Sequence, residues 1–195
     1  VRAVIPDYVK EKLLIDADLK GPGKEVGPYF EKTPLDDSLG VTLQQLQLDG
    51  DVNARLHLDI PLDGKEVTAE GNVVLKNNNL YIKPLDSTLK NLSGAFRFVN
   101  GNLQSEPMQA NWFNQPLNVN FSTTEGQKAF QVAVNMKANW QPARTGILPK
   151  QLNDALSGSI PWQGNVGIEL PYRGGTNYNV ELTGDLKNVS SHLPA

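Results

Sequence analysis

A strict alternation of apolar and polar residues over 51–60 is the feature that most constrains how this chain can fold. Apolar side chains occupy every even position from Val52 to Ile60, and polar or charged side chains occupy every odd position from Asp51 to Asp59. Because successive side chains of a strand point to opposite faces, this period predicts a long strand with one apolar and one solvated face. The Asp63-Gly64 pair that follows is typical of a hairpin turn.

The same alternation recurs along most of the chain, between sequences typical of turns. Alternating segments include 67–75, 95–99, 108–112, 117–121, 130–140, 166–170 and 180–186, and turns are predicted at 77–79, 100–101, 114–116 and 125–126. Together they predict a mainly β fold, an antiparallel meander of about nine strands with a consistent apolar side. Helical patterns are limited to 24–35 and 147–156. Two short helices are too few to cover the apolar face of such a sheet.

Composition and charge exclude several classes of protein. A net charge of −3 with a pI near 5.4 argues against nucleic-acid binding, which requires a basic face. The absence of cysteine excludes disulfides and thiolate chemistry. The sequence has no apolar run long enough for a membrane-spanning helix and no signal peptide, and it begins with Val1 rather than methionine. We therefore expect it to be a fragment of a longer protein.

Residues suited to catalysis or metal binding are scarce. The chain has two histidines, of which His57 falls on the solvated side of a predicted strand and His192 lies near the end of the sequence. Carboxylate pairs fall at turn or solvated positions, and no metalloprotease, phosphate-loop or serine-hydrolase motif occurs. We therefore predict no enzymatic activity, no catalytic residue, no metal site and no cofactor.

An internal repeat suggests how the chain is organised. Residues 50–52 resemble 164–166, residues 60–64 resemble 170–174, and residues 75–77 resemble 186–188. The predicted unit is a strand, a short helix and then several strands. The first repeat spans about 11–129 and the second, truncated repeat spans about 130–195. A repeat that continues to the end of the sequence predicts a longer array.

Three sequence segments resemble those of a known family. GDVNARLHLDIPLDG, TAEGNVVLKNNNLYI and LSGAFRFVNGNLQSEPMQANWFNQPLNVNF are similar to segments of the AsmA-like superfamily, specifically its large YhdP-type members. The resemblance covers most of the chain. It implies a repeating β-groove, in which an antiparallel sheet curls into an open trough with an apolar floor, within the periplasmic part of a protein anchored in the inner membrane of a didermic bacterium.

The resemblance also implies a function. Members of this family are expected to carry phospholipids between the inner and outer membranes, in support of the outer-membrane permeability barrier. The implied partners are phospholipid acyl chains, the inner membrane through an N-terminal anchor absent from this chain, and the outer membrane at the far end, with no nucleic acid. The alternating strands supply the predicted trough lining: Val52, Ala54, Leu56, Leu58, Ile60, Val73, Leu75, Phe96, Phe98, Val132, Val134 and Met136.

Three alternatives remain open from the sequence. The strands can form a closed β-sandwich in which two apolar faces pack on each other. A carbohydrate-binding sandwich would use Trp112, Trp140 and Trp162 as a stacking platform, and it predicts exposed, coplanar indole rings. An envelope-assembly scaffold would have the trough without lipid cargo. The helix predicted at 147–156 can plug, cap or flank the trough.

Overall fold

The computed structural model describes residues 1–4, 12–25, 46–64, 66–146 and 148–192. In this part the chain forms strands joined by short turns, three of which are 3₁₀ turns, at Gly23–Glu25, Lys83–Leu85 and Pro142–Arg144. One short α-helix, α1, spans Lys150–Ala155. The strands are β1 (Arg2–Val4), β2 (Lys12–Pro22), β3 (Leu46–Asp49), β4 (Asp51–Pro61), β5 (Thr68–Ile82), β6 (Ser87–Val99), β7 (Asn102–Ser105), β8 (Met108–Trp112), β9 (Gln115–Glu125), β10 (Ala129–Trp140), β11 (Leu156–Gly158), β12 (Ile160–Pro171), β13 (Asn177–Gly184) and β14 (Val189–Ser191).

Twelve of these strands form one sheet with the order β1-β2-β4-β5-β6-β7-β9-β10-β12-β13. Strand β3 pairs with the end of β5, and β8 pairs with β6 and β9, off this path. The remaining two strands, β11 and β14, form a small second sheet. Every pairing is antiparallel and neighbours in the main sheet are close in sequence, so the predicted curled meander is confirmed.

Helix α1 matches the later of the two predicted helices. It begins after Pro149, whose fixed φ suits the start of a helix, and it ends at Ala155, where the chain enters β11. Its contacts are with the Pro142–Arg144 turn and with β11, so it flanks the ends of the strands. Of the predicted helix at 24–35, the structure describes only the end of the Gly23–Glu25 turn, and the rest lies outside the described residues.

The prediction of a turn at 77–79 is wrong. Strand β5 continues through these residues, and the asparagines form a bulge that shifts its register against β6. Asn77 takes the left-handed conformation (φ 54°), which asparagine tolerates better than most residues. Asn78 is fully buried, where its side chain accepts a hydrogen bond from the Lys76 amide (2.8 Å) and donates to the Asp49 and Asp51 carbonyls (3.1 Å each). The asparagines thus fasten β3 and β4 to β5 instead of ending the strand.

Two groups of buried residues hold the sheet together. The larger group, which we call the closed core, consists of Val52, Leu75, Leu89, Leu92, Met108, Ala110, Leu117 and Val119. It forms where β3 and β8 pair off the main path. The smaller group, the second core, consists of Phe130 and Val132, against which Leu103, Val134, Ile168 and Leu170 pack.

Candidate functional site

The strand register aligns the apolar residues of neighbouring strands into rows that run across the sheet. In an antiparallel pair, residues directly opposite each other lie on the same face. Leu19 lies opposite Ala54, Ala54 opposite Val73, and Val73 opposite Phe96. Three such rows define the face, named here row A (Val52, Leu75, Val119, Met136), row B (Leu19, Ala54, Val73, Phe96, Phe121, Val134, Val166, Val180) and row C (Ala17, Leu56, Phe98, Leu103, Val132, Ile168, Tyr178).

Row B remains continuous at the short strand β7, where the pairing with β9 is limited to one residue pair. The Phe121 amide donates a hydrogen bond to the Ser105 hydroxyl (2.7 Å), which ties β9 to β7. Because Ser105 is small, the rings of Phe96 and Phe121 on either side approach to 5.6 Å between centroids. From β2 to β13 the path crosses nine strands. Eight strand spacings give row B a length of roughly 38 Å.

All twelve residues predicted to line a trough lie on this apolar face. Val52 and Leu75 belong to the closed core and Val132 to the second core, with exposed fractions of 7%, 4% and 8%. The others are half-buried: Ala54, Leu56, Leu58, Ile60, Val73, Phe96, Phe98, Val134 and Met136. The described residues therefore leave the middle of the face partly open to solvent. Whether this open part holds lipid remains a prediction.

The apolar rows reach both ends of the described sheet. On β13, the last strand of the sheet path, Tyr178, Val180 and Leu182 are 60%, 58% and 68% exposed. On β2, near the other end, Leu19 is 49% exposed. Exposed aliphatic side chains in neighbouring positions are unusual on the surface of a closed domain. In the part of the chain that the structure describes, the apolar rows therefore continue to exposed positions on β2 and on β13.

The tryptophans predicted as a sugar-stacking platform pack on one another instead. Trp140 meets Trp112 and Trp162 edge to face, with ring centroids 5.8 and 4.8 Å apart. The Trp112 indole donates a hydrogen bond to Ser87 Oγ (2.7 Å), and the Trp140 indole donates to the Pro116 carbonyl (2.9 Å). The three rings are half-buried and inclined to each other. This arrangement differs from the exposed, coplanar rings that carbohydrate stacking requires.

The opposite face of the sheet is polar, and ion pairs cross its strands. Asp59 pairs with Lys12 at 2.8 Å. Arg55 pairs with Asp18 at 3.1 Å, and Arg97 pairs with Glu70 at 2.6 Å. The side chains of the Arg55–Asp18 and Arg97–Glu70 pairs are largely solvated, so these two pairs contribute little stability. The charged side chains favour exposure of this face to solvent. This preference in turn favours the strand register that places the apolar residues on the other face.

His57 lies on the polar face, as predicted, and its charge depends on pH. Its Nδ1 is 2.7 Å from Asp16 Oδ1, and this hydrogen bond raises the His57 pKa above 6.5. A raised pKa in the folded state contributes stability that is present in full below pH 6.5 and is lost as the pH rises through the folded pKa. We expect His57→Gln to remove this part of the pH dependence. Melting temperatures of both proteins between pH 5 and 9 test this, and identical pH profiles would contradict it.

The described residues contain no group of three or more His, Cys, Asp or Glu side chains placed to hold a metal ion. None of the described helices is long and apolar enough to span a membrane. The side chains of the apolar rows can make non-covalent contacts with apolar molecules. Such contact is non-directional and scales with the area removed from water.

Comparison with known proteins gives two matches. The family model described as YhdP protein matches residues 1–195. Over 193 residues the chain is 74% identical to a protein of Escherichia coli (strain K12) named intermembrane phospholipid transporter YhdP. That match covers 99% of this chain and 15% of the relative, so the chain spans a small part of the relative's length. No solved structure matches this chain.

Proposed function

Because the chain belongs to the YhdP family, we propose that it forms one segment of a groove along which phospholipids pass between two membranes. The observation that carries this proposal is the partly open middle of rows B and C, where apolar side chains of successive strands are half-buried and aligned across the sheet. The relative's name describes the same activity for a protein of which this chain resembles a part.

The energetics favour a trough over a pocket for such a task. Each CH₂ group sheltered from water contributes about 0.8 kcal/mol, so an acyl chain of about 16 carbons would lose roughly 13 kcal/mol in crossing water alone. A row of apolar side chains shelters the acyl chain at each step and so removes most of this free-energy barrier, without a catalysed reaction. This segment is accordingly proposed to act without catalysis, cofactor or metal, and its own contribution is the apolar face.

We further propose that the chain contains two units of a repeat, about 11–129 and about 130–195. Strand β10 pairs with β12, which pairs with β13, as β2 pairs with β4, which pairs with β5. In each unit a 3₁₀ turn follows the first strand, at Gly23–Glu25 and at Pro142–Arg144. Repeats of one supersecondary unit extend an apolar surface by stacking neighbours.

The location and membrane partners follow from the same proposal. A protein that carries phospholipids between the inner and outer membranes of a didermic bacterium must cross the periplasm, and we place this segment there. We propose in addition that the full-length protein contacts the inner membrane through an anchor and the outer membrane at its far end. A scaffold without lipid cargo is the competing hypothesis, and it gives the opposite result in the following experiment.

Photo-crosslinking of the full-length protein in living cells tests the proposed function. A photoreactive amino acid at Phe98, on the open apolar face, is expected to yield phospholipid adducts that mass spectrometry can identify. The matched control is the neighbouring position Arg97, which is exposed on the polar face. Adducts at 98 but not at 97 support the groove. Absence of adducts at 98, or equal yields at both positions, contradicts it.

A further inference from the structure

Side chains, rather than backbone carbonyls alone, hold β7 and β9 together. Three backbone amides along this junction, named here the side-chain seam, donate hydrogen bonds of 2.7 or 2.8 Å to side-chain oxygens. In an ordinary antiparallel ladder the amides donate to the carbonyls of the neighbouring strand. The donors and acceptors of the seam are Phe121 with Ser105 Oγ, Leu103 with Thr123 Oγ1, and Glu125 with Asn102 Oδ1.

The seam is also limited in register. In the described part of the chain β7 and β9 pair at one position, Gln104 with Ser122, whereas β9 and β10 pair over eight positions. A carbonyl oxygen is fixed by its peptide plane, but a serine or threonine oxygen moves when χ1 rotates. The seam can therefore change its spacing through side-chain rotation. The same change in the β9–β10 ladder would break several hydrogen bonds at once.

The other end of the same junction is fixed by the closed core. There β8 pairs with both β6 and β9. Met108 and Ala110 of β8 and Leu117 of β9 are 2%, 5% and 2% exposed. Gly94 of β6 allows a close approach, because a Cβ at this position would lie 2.4 Å from Met108 Cγ. Close packing leaves little room for displacement. The junction is thus rigid at the closed core and compliant at the seam.

The apolar rows stay connected across the seam. In row B the ring centroids of Phe96 and Phe121 lie 5.6 Å apart, on either side of Ser105. In row C Leu103 of β7 packs against the second core, which belongs to β10. Apolar contacts of this kind are non-directional, so a small change of angle preserves them. Bending at the seam would therefore leave the apolar path continuous.

We propose that the side-chain seam is a hinge in the sheet. The main-path strands from β1 to β7 form one block, those from β9 to β13 form another, and the second block swings about the closed core. Because the row C side of the junction opens while the row A side stays closed, this swing bends the apolar path within the plane of the sheet. The use of the hinge rests on the proposed function: a groove between two membranes that bends here can follow changes in their spacing.

Hydrogen exchange of the full-length protein, resolved to single amides by electron-transfer fragmentation, tests the hinge without any substitution. We expect the Leu103 and Phe121 amides to exchange at least about tenfold faster than those of Asn120 and Ser122, because opening of the seam exposes only the first pair. Asn120 and Ser122 are the internal control, since backbone groups alternate sides along a strand and theirs face β10. Equal rates for the two pairs would overturn the hinge.

A distance measurement between the blocks tests the swing itself. Nitroxide labels are attached to Asn72→Cys and Asn165→Cys, both exposed on the polar face, after any other cysteine of the full-length protein is replaced. Five strand spacings separate β5 from β12, or roughly 24 Å, which suits pulsed electron resonance. Thr123→Val removes the acceptor of the Leu103 bond. We expect it to broaden the distance distribution and to raise the Leu103 exchange rate by about tenfold.

Thr124→Val is the matched control, because it makes the same substitution at the next residue, which is exposed on the polar face. We expect it to keep the wild-type distribution. If Thr123→Val prevents folding, Ser105→Ala removes the acceptor of the Phe121 bond at a half-buried position and carries the same expectation. A distribution that the seam substitution leaves unchanged, or that Thr124→Val broadens equally, overturns the hinge. Neither measurement involves lipid, so failure of the hinge is distinguishable from failure of the groove in the photo-crosslinking experiment.

Discussion

Leu56→Asp is expected to abolish phospholipid binding by the full-length protein while the region around it stays folded. Leu56 is half-buried in row C, with Ala17 and Gly71 opposite it on the neighbouring strands. A carboxylate there can reach solvent, so the cost to folding should be about 1–2 kcal/mol. An acyl chain lying on the same face would have to bury that charge, which is far more costly.

The measurement compares phospholipid recovered with purified wild-type and variant proteins, together with their thermal unfolding. Asn72→Asp is the matched control, because it places the same charge on the exposed polar face of the adjacent strand, diagonally across from Leu56. We expect this control to retain lipid at the wild-type level. If Leu56→Asp unfolds the protein, the face is a closed core, and if the variant retains its lipid, row C does not form part of the path.

Phe130→Ala is expected to lower the free energy of unfolding of the 195-residue chain by about 3–5 kcal/mol. The Phe130 side chain is fully buried in the second core, where Leu103, Ile168 and Leu170 pack against the core. The surrounding strands are held by their ladder hydrogen bonds and can collapse only partly into the cavity that the substitution leaves. A large part of the lost contact energy is therefore not recovered.

Phe98→Ala provides the comparison, since it deletes the same side chain from the half-buried open face. We expect it to cost less than half as much, because less of its surface leaves water on folding. Urea denaturation followed by tryptophan fluorescence measures both values. Equal losses for the two variants would mean that the apolar face is packed to the same extent at both positions and that no open trough exists.

The sequence predicts the strands well because their information is local. The alternation that begins at Val52 assigns each residue of β4 to a face, and the structure places β4 at Asp51–Pro61. The run at 77–79 misleads for a physical reason: asparagine suits a turn, but a bulge also needs a residue with positive φ and a side chain that can satisfy displaced backbone groups. Asn77 and Asn78 meet those two needs within a continuous strand.

The sequence does not distinguish the closed core from the open face. Leu117 and Leu56 occur in equally regular alternations, yet Leu117 is 2% exposed and Leu56 is half-buried. The difference arises because β3 and β8 pair off the main path of the sheet and cover one region of it. Row partners such as Phe121 and Val166 are also missed, because they become aligned with Val134 only through pairing between strands.

Sequence reasoning does not reveal the open depression beyond the ends of β10 and β12, which residues of the Pro142–Arg144 turn and of the β11–β14 sheet line. Arg144, Ser159 and Asn188 are distant in sequence and match no motif. They meet because β10 and β12 end at the same level and because β14 returns to pair with β11. The one local signal is Gly158, whose left-handed conformation is required by a close approach that the sequence does not reveal.

The orientation of row B sets the character of movement along it. Because the row runs across the strands, a molecule that advances along it leaves one strand and meets the next after about 4.8 Å. At most steps it exchanges one apolar side chain for another, as from Ala54 to Val73 to Phe96. The free energy of an apolar molecule bound to the row should therefore vary little from one strand to the next. Diffusion on such a surface is fast in both directions, so any net direction must be imposed at its ends.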